Sequence, residues 1–277
     1  MDGESYMVRK PAVAGQFYPG TETSLREKIE ECFHHELGPG GMPSKEGNSR
    51  DIKGLVCPHA GYTYSGPVAA HSYRTLVEDG IPESVIFLGP SHQGMGTAIA
   101  AAGEDYETPF GVVETNEKIV ESLEGDLIKK DNMAHSQEHS IEVQMPFLQY
   151  FSDSFKAVPI CFNKQDLKTA KKVGKRLREV TEDEDAIIIA STDFSHYVLK
   201  ENAEKKDKMA IKKILENDPE GLFETVREKN ISMCGYGPVV SMMIGSGGTE
   251  GELLKYATSG DVTPAREVVG YGAIAFR

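Results

Sequence analysis

The chain has no long apolar run. None of its apolar stretches approaches the roughly 20 residues needed to cross a bilayer, so no transmembrane helix and no membrane association are predicted. Met1-Asp2-Gly3-Glu4 is acidic and has no apolar signal core, which points to a cytoplasmic protein. Basic charge is scarce: 30 Lys and Arg against 43 Asp and Glu leave a net charge of −13 over 277 residues. Such a balance argues against nucleic acid as a partner. The four cysteines (Cys32, Cys57, Cys161, Cys234) are scattered with no C-x-x-C pair, which excludes a disulfide framework and a zinc ribbon. Cys32, Cys57 and Cys161 fall in apolar segments where Cys serves as a small hydrophobe. There is no phosphate-binding G-x-x-x-x-G-K-S/T loop, no dinucleotide fingerprint, no G-x-S-x-G elbow and no internal repeat.

What is present is a pattern of strands that end in histidine. Ser84-Val85-Ile86-Phe87-Leu88-Gly89 is uniformly apolar, the signature of a strand buried on both faces, and it runs into Pro90-Ser91-His92. Gly54-Leu55-Val56-Cys57 runs likewise into Pro58-His59-Ala60-Gly61. Ala186-Ile187-Ile188-Ile189-Ala190 runs into Ser191-Thr192-Asp193-Phe194-Ser195-His196. In a parallel α/β sheet all such carboxyl ends share one edge, where these folds hold ligands. His59, His92 and His196 are therefore predicted to converge, and a common edge is required of residues 54–57, 84–89 and 185–190.

The other segments complete an α/β pattern. Residues 7–20 read as an extended segment packed on the domain, and 21–37 as a helix, with His34 and His35 near its end where a cation suits the dipole. A loop over 38–51 follows. A helix is predicted from Pro67, with Pro in its first turn and His71 packed inside. Short runs at 97–102, 106–108 and 112–114 suggest an antiparallel excursion, and a helix begins at Asn116. His135 and His139 are four apart, so on a helix they would share a face. Ala157–Cys161 is a strand whose Pro159 suggests an edge or a strand start. A basic amphipathic helix over about 166–180 carries Lys171, Lys172, Lys175, Arg176 and Arg178 on a solvated face. Helices at 200–217 and 219–230 follow, then a small-residue helix opened by Cys234-Gly235-Tyr236-Gly237-Pro238, then alternating strands at 253–258 and 268–276. The predicted architecture is a single α/β domain over 1–277, with a central mostly parallel sheet, added antiparallel strands and helices on both faces.

The chemistry-bearing set is His59, His92, His135, His139, Asp193, His196 and Cys234. Neutral imidazole and thiolate suit iron, zinc or copper rather than magnesium or calcium. Each histidine alone could simply cap a strand end by hydrogen bonding; several of them at equivalent strand ends favour a site.

Several stretches resemble the Memo family: Arg9-Lys10-Pro11-Ala12-Val13-Ala14-Gly15-Gln16-Phe17-Tyr18-Pro19, Pro58-His59-Ala60-Gly61-Tyr62-Thr63-Tyr64-Ser65-Gly66, Gly89-Pro90-Ser91-His92, Glu138-His139-Ser140-Ile141-Glu142, Ser191–Tyr197 and Cys234-Gly235. Microbial members carry the label AmmeMemoRadiSam system protein B. The resemblance implies a fold like that of class III extradiol ring-cleaving dioxygenases, in which two histidines and a carboxylate hold ferrous iron and another histidine is the acid/base. On that resemblance His59, His92 and Cys234 are the metal ligands, with Cys234 at the carboxylate position. His196 with Asp193 beside it is the acid/base, and His139 is a further pocket histidine. Tyr62, Tyr64 and Tyr236 are expected to line the substrate pocket. A thiolate is softer than a carboxylate, so ring cleavage does not carry over with the fold. The expectations are Fe(2+), with copper or zinc as alternatives, and a redox reaction on a small molecule. The alternative is a non-catalytic module that binds a peptide or a metal in the same pocket. A radical SAM protein and an AMMECR-type protein are the partners the resemblance implies.

Overall fold

A computed structural model describes residues 8–277. The acidic start at Met1–Glu4 and residue Met7 of the expected extended segment lie outside the described residues. In chain order the elements are β1 (Val8–Arg9), α1 (Glu22–His34), β2 (Gly54–Cys57), α2 (Tyr62–Asp79), β3 (Ser84–Pro90), β4 (Ile99–Ala101), β5 (Asp105–Thr108), β6 (Gly111–Val113), α3 (Glu117–Leu123), β7 (Lys129–Lys130), α4 (Met145–Gln149) and β8 (Lys156–Phe162). They continue as α5 (Leu167–Thr181), β9 (Ala186–Ser191), β10 (Val198–Leu199), α6 (Lys200–Leu215), α7 (Pro219–Glu228), α8 (Tyr236–Gly245), β11 (Gly251–Thr258), α9 (Ser259–Val262), β12 (Glu267–Val268) and β13 (Gly270–Phe276).

The main sheet has the order β11-β13-β2-β9-β3-β8-β4-β7. Its centre, β2-β9-β3-β8, is parallel throughout. The flanking pairs β11-β13, β13-β2 and β4-β8 are antiparallel. Alternate residues of the apolar strands feed two separate cores, as a pleated strand buried on both faces must. Val56, Ile86, Leu88, Ile188 and Ala190 pack with α5 and α8 residues such as Val173 and Val240. Leu55, Cys57, Val85, Phe87, Ile187 and Ile189 pack with α1 and α2 residues such as Leu25, Phe33 and Tyr73. Helices thus cover both faces. The α/β class and the mostly parallel centre are those the sequence predicts.

The register puts Cys57 beside Ser191, Leu88 beside Ala190 and Pro90 beside Phe162. The carboxyl ends of β2, β9, β3 and β8 therefore share one edge, as required for the histidines to meet.

Four local readings are corrected. First, α2 starts at Tyr62, so Pro67 lies inside the helix. Gly66, directly before Pro67, serves packing: a Cβ there would sit 2.5 Å from Cys32 Sγ. The carbonyl of Thr63, which loses its helical donor to Pro67, belongs to an exposed residue. Second, β8 lies inside the sheet, with Pro159 in its middle. The Pro159 carbonyl accepts from Ala102 N at 2.9 Å just past the end of short β4, so only the reciprocal bond is missing. Third, β13 is buried along its whole length rather than alternating, because α2 covers Tyr271 and Ala273 on one face and α6 covers Ile274 and Phe276 on the other. Fourth, His135 and His139 do not share a helix face. A short 3-10 turn, Asn132–Ala134, ends before them. The segment that follows turns its carbonyls to a side chain instead: Arg9 donates to His135 O at 2.7 Å and to Glu138 O at 2.8 Å.

Candidate metal centre

His59 follows β2, and His92 follows β3. Their ring centroids are 5.2 Å apart, and His139 lies 5.5 Å from His59 and 4.5 Å from His92. Each of the three offers a ring nitrogen within 4.8 Å of the other two. Cys234, in the turn before α8, places Sγ 3.2 Å from His59 Nε2 but falls outside that mutually close trio. Of the ligand set expected from the sequence, His59 and His92 meet directly and Cys234 Sγ meets His59, while the third member of the close trio is His139.

The proton positions follow from the partners. His92 Nδ1 lies 2.8 Å from Glu138 Oε1, and an ionised carboxylate can only accept, so Nδ1 carries the hydrogen. His59 Nδ1 lies 2.9 Å from Ser191 Oγ. The single hydroxyl hydrogen of Ser191 goes to Ser140 O at 2.6 Å, and Gln144 Nε2 donates to the same oxygen at 2.7 Å. Ser191 Oγ must therefore accept from His59 Nδ1. In both rings the Nε2 lone pair is left for a ligand.

Glu138, which the sequence does not mark as a site residue by itself, organises the site. Its carboxylate also accepts the backbone N–H of His92, of His139 at 2.9 Å and of Ser140 at 2.9 Å. Burial alone would push this carboxyl up, but the His92 ring and the N–H donors outweigh it and hold the pKa at about 2. Arg9 ties down the same segment from the other end of the chain. Besides the two carbonyls, it pairs with buried Glu142 at 2.7 Å. Glu142 also accepts from Ala12 N, Val13 N and Tyr18 OH. Phe17 packs on His139 with ring centroids 4.6 Å apart. A carboxylate directly before a histidine, in the polar run His135-Ser136-Gln137-Glu138-His139-Ser140, is the available sequence signal for Glu138. No local signal exists for Arg9.

Burial favours the neutral form of His59 and His139, which is the form that binds metals. It holds His59 well below the usual range, helped by neighbouring His139, His92 and His196, and it holds His139 at about 4. Burial, then the Asp193 charge, pushes the Cys234 thiol well up. Two contacts favour the thiolate in the opposite sense: the Asp193 N–H points at Sγ at 3.2 Å, with Thr192 Oγ1 3.8 Å away. The donor set, three imidazoles with a hydrogen-bonded sulfur beside one of them, fits a soft or borderline transition metal.

Asp193 does not orient His196. Its Oδ1 accepts the His59 backbone N–H at 2.8 Å, fixing the 58–61 loop, and burial raises its carboxyl to about 6. His196 Nδ1 instead lies 2.8 Å from both Phe194 O and Ser232 O. Two carbonyls can only accept, so backbone sets the His196 tautomer and leaves Nε2 open. Tyr62 is a core residue, with its hydroxyl donating to Val143 O at 2.7 Å and its ring 4.7 Å from Phe147. Burial left no room for it as a pocket wall. Tyr236 packs 5.9 Å from Phe223, and Tyr64 is exposed on the first turn of α2. His135 is a buried structural residue, bonded to Tyr106 OH and Ala100 O. His71 is half-buried and bonded to Leu37 O. Among the described residues, no helix is long and apolar enough to cross a membrane.

An α/β protein with a histidine-lined candidate metal centre at the carboxyl edge of its parallel strands is the class these observations define. The family model for Memo-like proteins matches residues 9–275. A MEMO1 family protein of Methanopyrus kandleri is 48% identical over 98% of this chain and 99% of its own length. One from Methanothermobacter thermautotrophicus is 46% identical over 97% of this chain and all of its own, and one from Nitrosopumilus maritimus is 43% identical over 98% and 100%. The chain belongs to the Memo family. An uncharacterized protein from Escherichia coli K12 has a similar fold, with a TM-score of 0.53 at 12% identity, covering 81% of this chain and 99% of that one.

Proposed function

We propose that this protein is a cytoplasmic metalloprotein holding one iron ion, with a redox reaction on a small molecule as its activity. His59, His92 and His139 would hold the ion, and Cys234 would add a thiolate beside His59. The observation that carries this reading is the pair of Nδ1 donors on His59 and His92, each tied to its own partner, which turns Nε2 of both rings to ligand duty within the close trio. Ferrous iron would supply one-electron chemistry and open coordination positions. The protein would hold His196 with Nε2 available at the same sheet edge, suited to moving a proton to or from a bound molecule. Copper fits the sulfur donor nearly as well, and zinc fits the histidines. The resemblance to AmmeMemoRadiSam system members supports a radical SAM protein and an AMMECR-type protein as partners.

A second reading, a module that binds a peptide or a metal without turnover, is favoured by exposed Tyr64 and Tyr197, 41% and 75% accessible, which flank the loops of the site. Metal content after anaerobic purification without a metal-binding tag, followed by turnover with a small-molecule panel, separates the two. Titration of His59→Ala, His92→Ala, Cys234→Ala, His196→Ala, His34→Ala and His71→Ala with ferrous, cuprous and zinc ions tests the site itself. The first three should lose most of their affinity, and the last three should bind as the parent does. Full affinity in His59→Ala and His92→Ala would end the metal reading. Loaded protein that binds ligand and never turns over would leave the binding module.

A further inference from the structure

The turn that carries Cys234 has an unusual support. Helix α8 starts at Tyr236 with Gly235 at its N-cap, and no side chain caps it locally. Ser, Thr, Asp or Asn is the usual residue there, because a side-chain oxygen must accept one of the orphan N–H groups of the first turn. That solution is closed here. A Cβ on residue 235 would collide with the Ser191 carbonyl and sit 2.7 Å from Thr192 Cβ. Gly235 is required by the close approach of this turn to the end of β9.

Gln165, in the loop between β8 and α5, supplies the missing cap from another element. Its Oε1 accepts the Gly237 N–H at 2.9 Å, and its Nε2 donates to the Cys234 carbonyl at 2.9 Å. One amide thus grips both sides of the turn. Together with the Gly235 N–H on Thr192 Oγ1 at 2.9 Å, it leaves the Cys234 backbone little freedom to move. The thiol is held where it meets His59 Nε2.

We infer that Gln165 is a positioning residue for Cys234, capping α8 in place of Gly235 and so setting the thiol as a metal donor. The inference rests on the reading of Cys234 as a ligand in the proposed metal centre. Gln165 makes no bond to Sγ or to any of the three histidines; it acts through the turn.

Cobalt(II) is a suitable probe, because a bound thiolate gives a sulfur-to-cobalt charge-transfer absorption that histidine-only coordination lacks. Gln165→Leu removes both bonds, whereas Gln165→Glu keeps an acceptor for Gly237 N–H and sets a carboxylate against the Cys234 carbonyl. Both variants should lose the charge-transfer band, and both should keep the parental circular dichroism, which shows that the fold survives. Cobalt affinity in Gln165→Leu should fall about 10–100-fold, the usual effect of losing an outer partner of a ligand. In a Cys234→Ala background the same substitution should change affinity no further, since its effect passes through the thiol. A full band in both Gln165 variants, or an equal further loss in the Cys234→Ala background, would overturn the positioning role alone. A parental protein that binds cobalt with no thiolate band would overturn the ligand reading of Cys234, and this inference with it.

Discussion

Glu138 and His92 are joined twice, through Oε1 to the ring Nδ1 at 2.8 Å and through Oε2 to the backbone N–H. One carboxylate thereby fixes both the position and the tautomer of a candidate ligand, and it orders the backbone of His139 as well. Glu138→Gln should therefore weaken metal binding about 10–100-fold while leaving the secondary structure intact. Competition titration against a chromophoric chelator, with circular dichroism on the same samples, checks it.

The same carboxyl makes stability depend on acid. Its folded pKa of about 2 lies below the ordinary 4.5, so it contributes stability that is present above about 4.5 and lost as pH falls toward 2. Urea unfolding of the metal-free protein should show a drop over that window. In Glu138→Gln the drop should be shallower, and equal slopes in the two proteins would remove Glu138 from the acid response.

Arg9→Met should be among the most damaging single changes far from the histidines. It leaves the Glu142 carboxylate buried without its cation and frees the His135 and Glu138 carbonyls. Breaking one side of a buried pair costs about 3–5 kcal/mol. Lys10→Ala next door removes only an exposed pair with Glu107 and should cost less than about 1 kcal/mol. Denaturant midpoints of the two variants decide between these magnitudes.

His135 and His139 should separate cleanly. His135→Leu strands Tyr106 OH and should cost about 1–3 kcal/mol, with metal stoichiometry unchanged. His139→Leu should show the opposite pattern: little loss of stability and a clear loss of metal. Calorimetric melting and metal titration of both variants read the two effects apart.

Gly235→Ala tests the crowding at the end of β9. The added methyl meets the Ser191 carbonyl and Thr192, so the turn must shift, at about 1–3 kcal/mol. Because that turn carries Cys234, metal affinity should fall along with the melting temperature. A variant that melts like the parent would mean that the turn has room to spare.

The central strands were legible because each is apolar at every position, and a strand buried on both faces leaves no other reading for Leu55-Val56-Cys57 or Ile187-Ile188-Ile189. The placement of His59 and His92 followed from that alone. Whatever depends on a distant partner was hidden. The spacing of His135 and His139 suggests a helix, but Arg9 and Glu138 supply the hydrogen bonds a helix would have made itself. Gly66-Pro67 has the local chemistry of a turn, yet the approach of Cys32 explains the glycine. Asp193 beside His196 looked like an acid/base pair, but its carboxylate bonds the backbone of His59, across the sheet edge.

The contacts that complete the metal centre span very long stretches of chain: Arg9 reaches a carbonyl 126 residues on, and His59 meets Cys234 across 175. Closing such large loops is entropically expensive and slow compared with forming a local helix. On the ribosome, residues 9 and 59 must wait until residues 135–142 and then 234 have emerged. The candidate site is accordingly expected to be assembled late in folding, once the elements that carry residues 9, 59, 92, 139 and 234 have met.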